Sequence, residues 1–262
     1  MGIPAIWPVV IRRAAEILKI SIIIPVYNEF PTLHKVLRRV LEAPLPETCL
    51  KEVIVVDDGS TDGTTQALRE HSRAGVIVAH HSTVNQGKGT ALRTGIHLAS
   101  GHIILIQDGD LEYDPKDYAA IVLPILRGEA NVVYGSRFRG APHGMAWPNR
   151  IANRILTTTA NLLYGLRLTD EATAYKAFRA SLLKQLPLEC VRFEFCPEVT
   201  AKLSRLGHEI SEVPISYNAR GIADGKKIRA SDGMEALWTL LKYRVAPLKS
   251  FRHSTYPVQN PN

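Results

Sequence analysis

Ile103-Ile104-Leu105-Ile106-Gln107-Asp108-Gly109-Asp110 is an apolar run that stops on two carboxylates separated by one glycine. A continuous Ile/Leu run of this kind suits a parallel strand buried on both faces, because helices cover both sides of such a sheet. Open α/β sheets bind ligands at the carboxyl ends of their strands. Two acids at such an end, with a glycine that lets a ligand approach the backbone, suit a divalent cation together with a phosphate. The plainer reading of Asp-Gly-Asp is a strand-to-helix turn in which one Asp caps the next helix. The rest of the chain decides between them.

Outward from this segment, apolar runs alternate with helical patterns. Strands are predicted at Ser21–Pro25, Glu52–Val56, Gly75–His81, His102–Gln107 and Asn131–Gly135. Helices are predicted at Pro31–Leu41, from Thr61 or Asp62 to about Ser72, at Gly87–Ala99 and at Pro115–Arg127. This alternation predicts an α/β fold with a mostly parallel central sheet flanked by helices. After Gly140 the rhythm breaks. Helices are predicted at Pro148–Leu163, Pro197–Leu206 and Gly233–Tyr243, strands at Ala174–Arg179 and Ile210–Ile215, and a polar loop at Tyr217–Arg229. We divide the chain into an amino-terminal extension (1–20), one domain (21–246, with halves 21–140 and 141–246) and a poorly ordered tail (247–262).

The 262 residues are 45% hydrophobic and 22% charged, which excludes a disordered chain. The net charge of +7 thickens towards the carboxyl end, with Lys226, Lys227, Arg229, Lys242, Arg244, Lys249 and Arg252, and points to an anionic partner. No aromatic-rich RNA-binding signature accompanies it, so nucleic acid is not expected. Cys49, Cys190 and Cys196 lack metal-type spacing and read as reduced thiols of a cytoplasmic protein. No apolar run approaches the roughly 20 residues needed to span a bilayer. The apolar opening Ile3–Ile11 is interrupted by Pro4 and Pro8, so any membrane contact is expected to be peripheral, at the cytoplasmic face.

Four clusters follow predicted strands: Pro25-Val26-Tyr27-Asn28-Glu29, Asp57-Asp58-Gly59-Ser60, Asn85-Gln86-Gly87-Lys88-Gly89 and Asp108-Gly109-Asp110. In a parallel sheet they converge on one edge, which favours ligand binding over four separate helix caps. Asp57 or Asp58, and Glu29, can accept hydrogen bonds from a base or ribose, and Tyr27 can stack on a base. Lys88 sits at a glycine-flanked helix start suited to phosphate. The spacing is not that of a P-loop, and no Gly-x-Gly-x-x-Gly follows the first strand, so a nicotinamide cofactor is not expected.

In this order the motifs Ile23–Glu29, Val55–Thr64, Asn85–Gly89 and Asp108–Asp110 resemble family 2 glycosyltransferases of the GT-A fold. Gly135-Ser136-Arg137-Phe138, and Thr169-Asp170 with Thr173–Phe178, resemble the dolichol- and polyprenyl-phosphate mannosyl- and glucosyltransferase branch. The resemblance runs from about Ser21 to Arg244. It implies that Pro25, Tyr27, Glu29 and Asp57 or Asp58 bind the nucleotide of GDP-mannose or UDP-glucose. Asp108 and Asp110 would hold Mg²⁺ or Mn²⁺ on the diphosphate, with Gly109 between them at the nucleotide sugar and Glu112 as a third oxygen ligand where many relatives have Gln. Arg137 would face the phosphates, while Asn153, Arg154 and Thr157 would approach the acceptor phosphate. The loop Arg220–Arg229, with Lys226 and Lys227, would close over the donor.

The reaction implied is inverting transfer of a hexose to polyprenyl or dolichyl phosphate. A lipid phosphate is already an ionised nucleophile near neutral pH, so no general base is required. His80, His81, His97 and His102 accordingly read as structural or exposed. The chain departs from the family pattern at Ala172 and Ala174, which stand where relatives often carry Glu and Cys; either Glu171 substitutes or the acceptor differs. It also lacks the carboxy-terminal membrane helices of some relatives, leaving Pro148–Leu163 and the opening stretch to contact lipid. The same donor chemistry on a soluble or glycan acceptor, and a non-catalytic nucleotide-sugar or anionic-lipid binding module, are the alternatives.

Overall fold

The computed structural model describes residues 17–47, 49–140, 143–219 and 230–251. Seven strands form one sheet: β1 (Leu18–Val26), β2 (Cys49–Asp57), β3 (Val78–His81), β4 (Ile103–Ile106), β5 (Val132–Ser136), β6 (Lys176–Arg179) and β7 (Ser211–Pro214). Their order is β3-β2-β1-β4-β6-β5-β7. β6 alone runs antiparallel to its neighbours β4 and β5. The remaining pairs are parallel. The mostly parallel α/β sheet expected from the alternation is therefore present, with one antiparallel strand inserted.

The apolar runs explain the layering. Ile22 and Ile24 of β1 face one core and Ile23 the other, as strand pleating requires. On the first side α1 (Phe30–Glu42) buries Leu33, Val36, Leu37 and Val40, the helical spacing of a single face. α2 (Thr64–Arg73) and α4 (Tyr118–Leu126) contribute to the same core. On the other side lie α3 (Lys88–Leu98) and α7 (Phe195–Arg205). α5 (Trp147–Tyr164) and α8 (Ala230–Val245) make a third cluster through Leu156, Ala160, Ala236, Leu240 and Tyr243.

The chain passes from β1 to β2 and β3 on one side, then returns to place β4 on the other. The carboxyl ends of β1 and β4 therefore flank the point where strand order reverses, where such sheets open a crevice.

Several boundaries differ from the sequence-based expectation. β1 begins at Leu18, so residues 18–20 belong to the sheet rather than to an extension. β3 is shorter than Gly75–His81 because Gly75, at φ +71°, still belongs to the turn that ends α2. Pro115–Asp117 is a 3₁₀ turn leading into α4. A short helix α6 (Ala180–Leu183) was not expected. Leu248–Phe251 forms a 3₁₀ turn, and Phe251 is buried with its ring 5.9 Å from that of Tyr243; the rest of the tail lies outside the described residues. Ile3–Ile11, Lys226, Lys227 and most of the Tyr217–Arg229 loop lie outside the described residues. Among the described residues no helix is long and apolar enough to cross a membrane.

Candidate active site

The Asp108-Gly109-Asp110 turn leaves β4 beside the end of β1, held by a side chain that sequence reasoning passed over. The Gln107 carboxamide oxygen accepts hydrogen bonds from the hydroxyls of Tyr118 (2.6 Å) and Tyr175 (2.5 Å), while its nitrogen donates to the Asp108 carbonyl at 2.8 Å. Its backbone N–H donates to Ile23 O at 2.9 Å. Gly109 is required by close approach, since a Cβ there would lie 2.8 Å from Val26 Cγ1 and 2.9 Å from Pro25 O. The turn is thus pressed against the first strand's Pro25-Val26 end.

Asp108 keeps part of its side chain exposed and pairs with Lys88 Nζ at 2.5 Å. Burial works against the Lys88 charge, but the Asp108 carboxylate, with help from Cys196 and Asp110, outweighs it and raises the ammonium above its ordinary range. Asp110 is mostly buried and accepts the Glu112 N–H at 3.0 Å. Glu112 lies against the Tyr217 hydroxyl, whose pKa is raised first by burial and then by Glu112. Among the described residues no three His, Cys, Asp or Glu side chains gather closely enough to hold a metal, so Glu112 does not complete a three-carboxylate set. Two carboxylates flanking a glycine still fit a hard cation that takes its other ligands from phosphate and water.

Asp57 and Asp58 are both buried and engaged by loop donors. The fully buried Asp57 carboxylate accepts from Ser60 N (3.0 Å) and Thr65 Oγ1 (2.5 Å) and lies 3.3 Å from His81 Nδ1. Asp58 accepts from the backbone N–H groups of Gln86 (2.8 Å) and Gly87 (2.7 Å). Both acids brace loops, because buried backbone donors demand acceptors. The start of α3 is covered as well: Thr90 N–H donates to Val191 O at 3.0 Å, and a Cβ on Gly87 would lie 2.4 Å from the same oxygen. Lys88 therefore reaches the site through its side chain, not as part of an open helix end.

Pro25 is buried, while Tyr27 and Glu29 remain partly exposed at the end of β1. Asn28 adopts φ +51° and is tied to the next loop by donating from its N–H to Ser60 Oγ at 2.9 Å and accepting from Thr61 N at 2.8 Å.

Across the crevice, Arg137 leaves β5 and makes a two-pronged pair with Asp170, Nε to Oδ2 and Nη2 to Oδ1, both at 2.7 Å. Its backbone N–H donates to the same carboxylate at 2.9 Å. The guanidinium lies 5.0 Å from the Tyr217 ring centre. Burial opposes its charge, yet the paired Asp170 carboxylate helps to hold it firmly protonated. Asp108, Arg137 and Asp170 all act on Tyr113, whose hydroxyl is pushed up chiefly by burial. One electrostatic neighbourhood thus joins the Asp-Gly-Asp turn to the Arg137–Asp170 pair.

Asn153 and Thr157, expected at an acceptor phosphate, instead turn inward. Asn153 Oδ1 accepts Ala172 N–H at 3.3 Å and Thr157 Oγ1 accepts Glu171 N–H at 3.0 Å. They hold the loop that presents Asp170, and only Arg154 of the three is exposed. Asn153 Nδ2, Glu171 Oε2 and Thr173 Oγ1 are buried without a hydrogen-bond partner. Burial pushes the Glu171 carboxyl up, and Lys176 offsets this in part. Asp170 and Gln107 had no assigned role in the sequence. Their signal was faint: a polar residue directly before the first Asp, and an Asp inside the Thr169–Phe178 resemblance.

Comparison with known proteins bears on this geometry. The chain is 31% identical over 212 residues to dodecaprenyl-phosphate galacturonate synthase of Rhizobium johnstonii, covering 78% of this chain and 60% of that protein. It is 31% identical over 225 residues to undecaprenyl-phosphate mannosyltransferase of Micrococcus luteus, covering 80% of this chain and 87% of that one. In fold it is similar to glucosyl-3-phosphoglycerate synthase of Mycobacterium tuberculosis, with a TM-score of 0.66 at 23% identity, covering 89% of this chain and 83% of that one. The family described as Glycosyl transferase family 2 matches residues 21–187, a span that contains the Asp108–Asp110 turn, Lys88 and the Arg137–Asp170 pair; the chain belongs to that family.

Proposed function

We propose that this chain moves a hexose from GDP-mannose or UDP-glucose to a polyprenyl or dolichyl phosphate, with inversion at the anomeric carbon. The observation that carries the reading is that Lys88 pairs with Asp108 of the Asp-Gly-Asp turn at the reversal point of the sheet, while Asp108 and Arg137 act on the same Tyr113. The names of the two lipid-phosphate relatives support the acceptor class.

In this reading Asp108 and Asp110 hold Mg²⁺ or Mn²⁺ against the donor diphosphate. Such a cation would supply Lewis-acid neutralisation of the departing nucleoside diphosphate. Pro25, Tyr27 and Glu29 border the nucleotide. Lys88 pairs with Asp108, and its ammonium can meet a phosphate oxygen once that carboxylate has another partner. Arg137 uses one edge of its guanidinium on Asp170 and turns the charge of the rest towards the phosphates. Lys226 and Lys227 are assigned to the donor diphosphate and Arg154 to the acceptor phosphate. Asn153, Thr157 and Asp170 position the acceptor side without touching substrate. The acceptor phosphate would arrive ionised, so this reading requires no general base.

The test is incubation with labelled sugar nucleotide, polyprenyl phosphate and Mn²⁺ or Mg²⁺, followed by solvent extraction. Label in the organic phase is expected. Turnover that leaves all label in the aqueous phase points to a soluble acceptor, and absence of turnover with retained nucleotide-sugar binding points to a binding module.

A further inference from the structure

α5 and α8 pack on each other and both rest on α7, so the sides opposite their buried residues turn outward. On α5, buried Asn153, Leu156, Thr157 and Ala160 mark the inner side. Trp147, Ile151, Ile155 and Leu162 are all exposed, Trp147 by 76%. At 100° per residue these four fall on one stripe opposite the buried set. On α8, Ala236, Leu240 and Tyr243 are buried, while Met234, Trp238, Leu241 and Val245 are exposed, Trp238 by 66%. They form a second outward stripe by the same arithmetic. A soluble surface carries scattered apolar residues, but two neighbouring continuous stripes mark an interaction face.

The charge around the stripes names the partner. Arg150, Arg154 and Arg244 are exposed, and each follows a stripe residue by three positions: Trp147, Ile151 and Leu241. α5 contains no acidic residue, and of the two on α8 Asp232 is buried. An apolar face bearing tryptophan and edged with arginine suits the boundary between acyl chains and anionic headgroups. A partner protein or second copy would need a complementary acidic rim, whereas this chain is basic overall, at +7.

We propose that the joint outer face of α5 and α8 docks the protein on an anionic lipid surface. The inner side of α5 carries Asn153 and Thr157, which hold the loop presenting Asp170 to Arg137. Docking would therefore set the Arg137 side of the crevice next to the membrane. The inference stands on the surface itself and does not require the acceptor assignment above.

The test uses the full chain and vesicles of phosphatidylcholine with phosphatidylglycerol, free of polyprenyl phosphate, so that its outcome is separate from that of the transfer assay. The three tryptophans are Trp7, Trp147 and Trp238, so a Trp7→Phe background makes fluorescence report this face. Brominated lipid is expected to quench that fluorescence, and added salt to weaken binding. Leu162→Glu/Val245→Glu and Trp147→Glu/Trp238→Glu are each expected to lower co-sedimentation at least tenfold, with the thermal midpoint unchanged. Absence of quenching, or unaltered co-sedimentation of both folded variants, overturns the proposal. So does vesicle binding that depends solely on residues 1–16, or a dimer of the wild type that either variant dissociates.

Discussion

At the β1/β4 crevice the half before Gly140 offers Asp108 and Asp110 at the mouth, while Asp57 and Asp58 are spent on Ser60, Thr65, Gln86 and Gly87 behind it. In the half after Gly140 nearly all the polar chemistry is turned inward: Asn153 and Thr157 brace a loop, and Asp170 clamps Arg137. The first half sets Asp108, partly exposed and paired with Lys88, at the end of β4; the second buries Asp170 to aim the Arg137 guanidinium. The contrast shows that a carboxylate near a site can serve it either by open charge or by fixed geometry, and the two kinds fail differently on substitution.

The largest effect is expected at the two acids of the Asp-Gly-Asp turn. Asp108→Ala and Asp110→Ala should each lower kcat/KM by roughly 10²–10³, the scale for removing an electrostatic group that acts on the transition state. Their thermal midpoints should move little. Steady-state kinetics beside calorimetry checks this; a stability loss that explains the lost activity would erase the distinction between the halves.

Asp170→Asn should show the opposite signature. It leaves the Arg137 charge buried with half its partner removed, a change that costs about 3–5 kcal/mol. In a chain of this length that corresponds to a midpoint lower by roughly 2–4 °C per kcal/mol. Urea unfolding measures it, and a variant as stable as wild type would show the pair to be dispensable.

The smallest effect concerns Glu171, whose carboxyl is raised by burial. An acid that holds its proton more tightly when folded contributes stability fully present below the unfolded value. That contribution is lost as pH rises through the raised native value. Wild-type stability should therefore fall relative to Glu171→Gln as pH climbs from about 4.5, the ordinary value, towards neutrality. Urea midpoints across that range should converge at the acid end, and parallel curves would contradict a buried, protonation-coupled carboxyl.

The strands and their alternation with helices were readable because parallel strands need unbroken apolar runs, and Ile103–Ile106 is one. The insertion of β6 was not readable: its four residues pair Phe178 with both Ile104 and Val132, contacts that no local pattern encodes. The Asp-Gly-Asp turn stood out because two acids and a glycine end an unbroken apolar strand. Asp57 and Asp58 looked equally available, yet the donors that occupy Asp58 come from a loop 28 and 29 residues further on. Asn153 and Thr157 sit on the buried side of α5 beside Leu156 and Ala160, because loop 170–173 supplies N–H groups that need acceptors. Gln107 was hidden by its place at the end of an apolar strand, where its two tyrosine partners arrive from Tyr118 and Tyr175.

The most direct measurement is calorimetric titration of GDP and UDP into the protein with and without Mn²⁺, repeated on Asp110→Asn. The account predicts that at least one nucleotide binds far more tightly with the cation and that the variant loses this gain. Equal affinity with and without Mn²⁺, or an undiminished gain in Asp110→Asn, would contradict it.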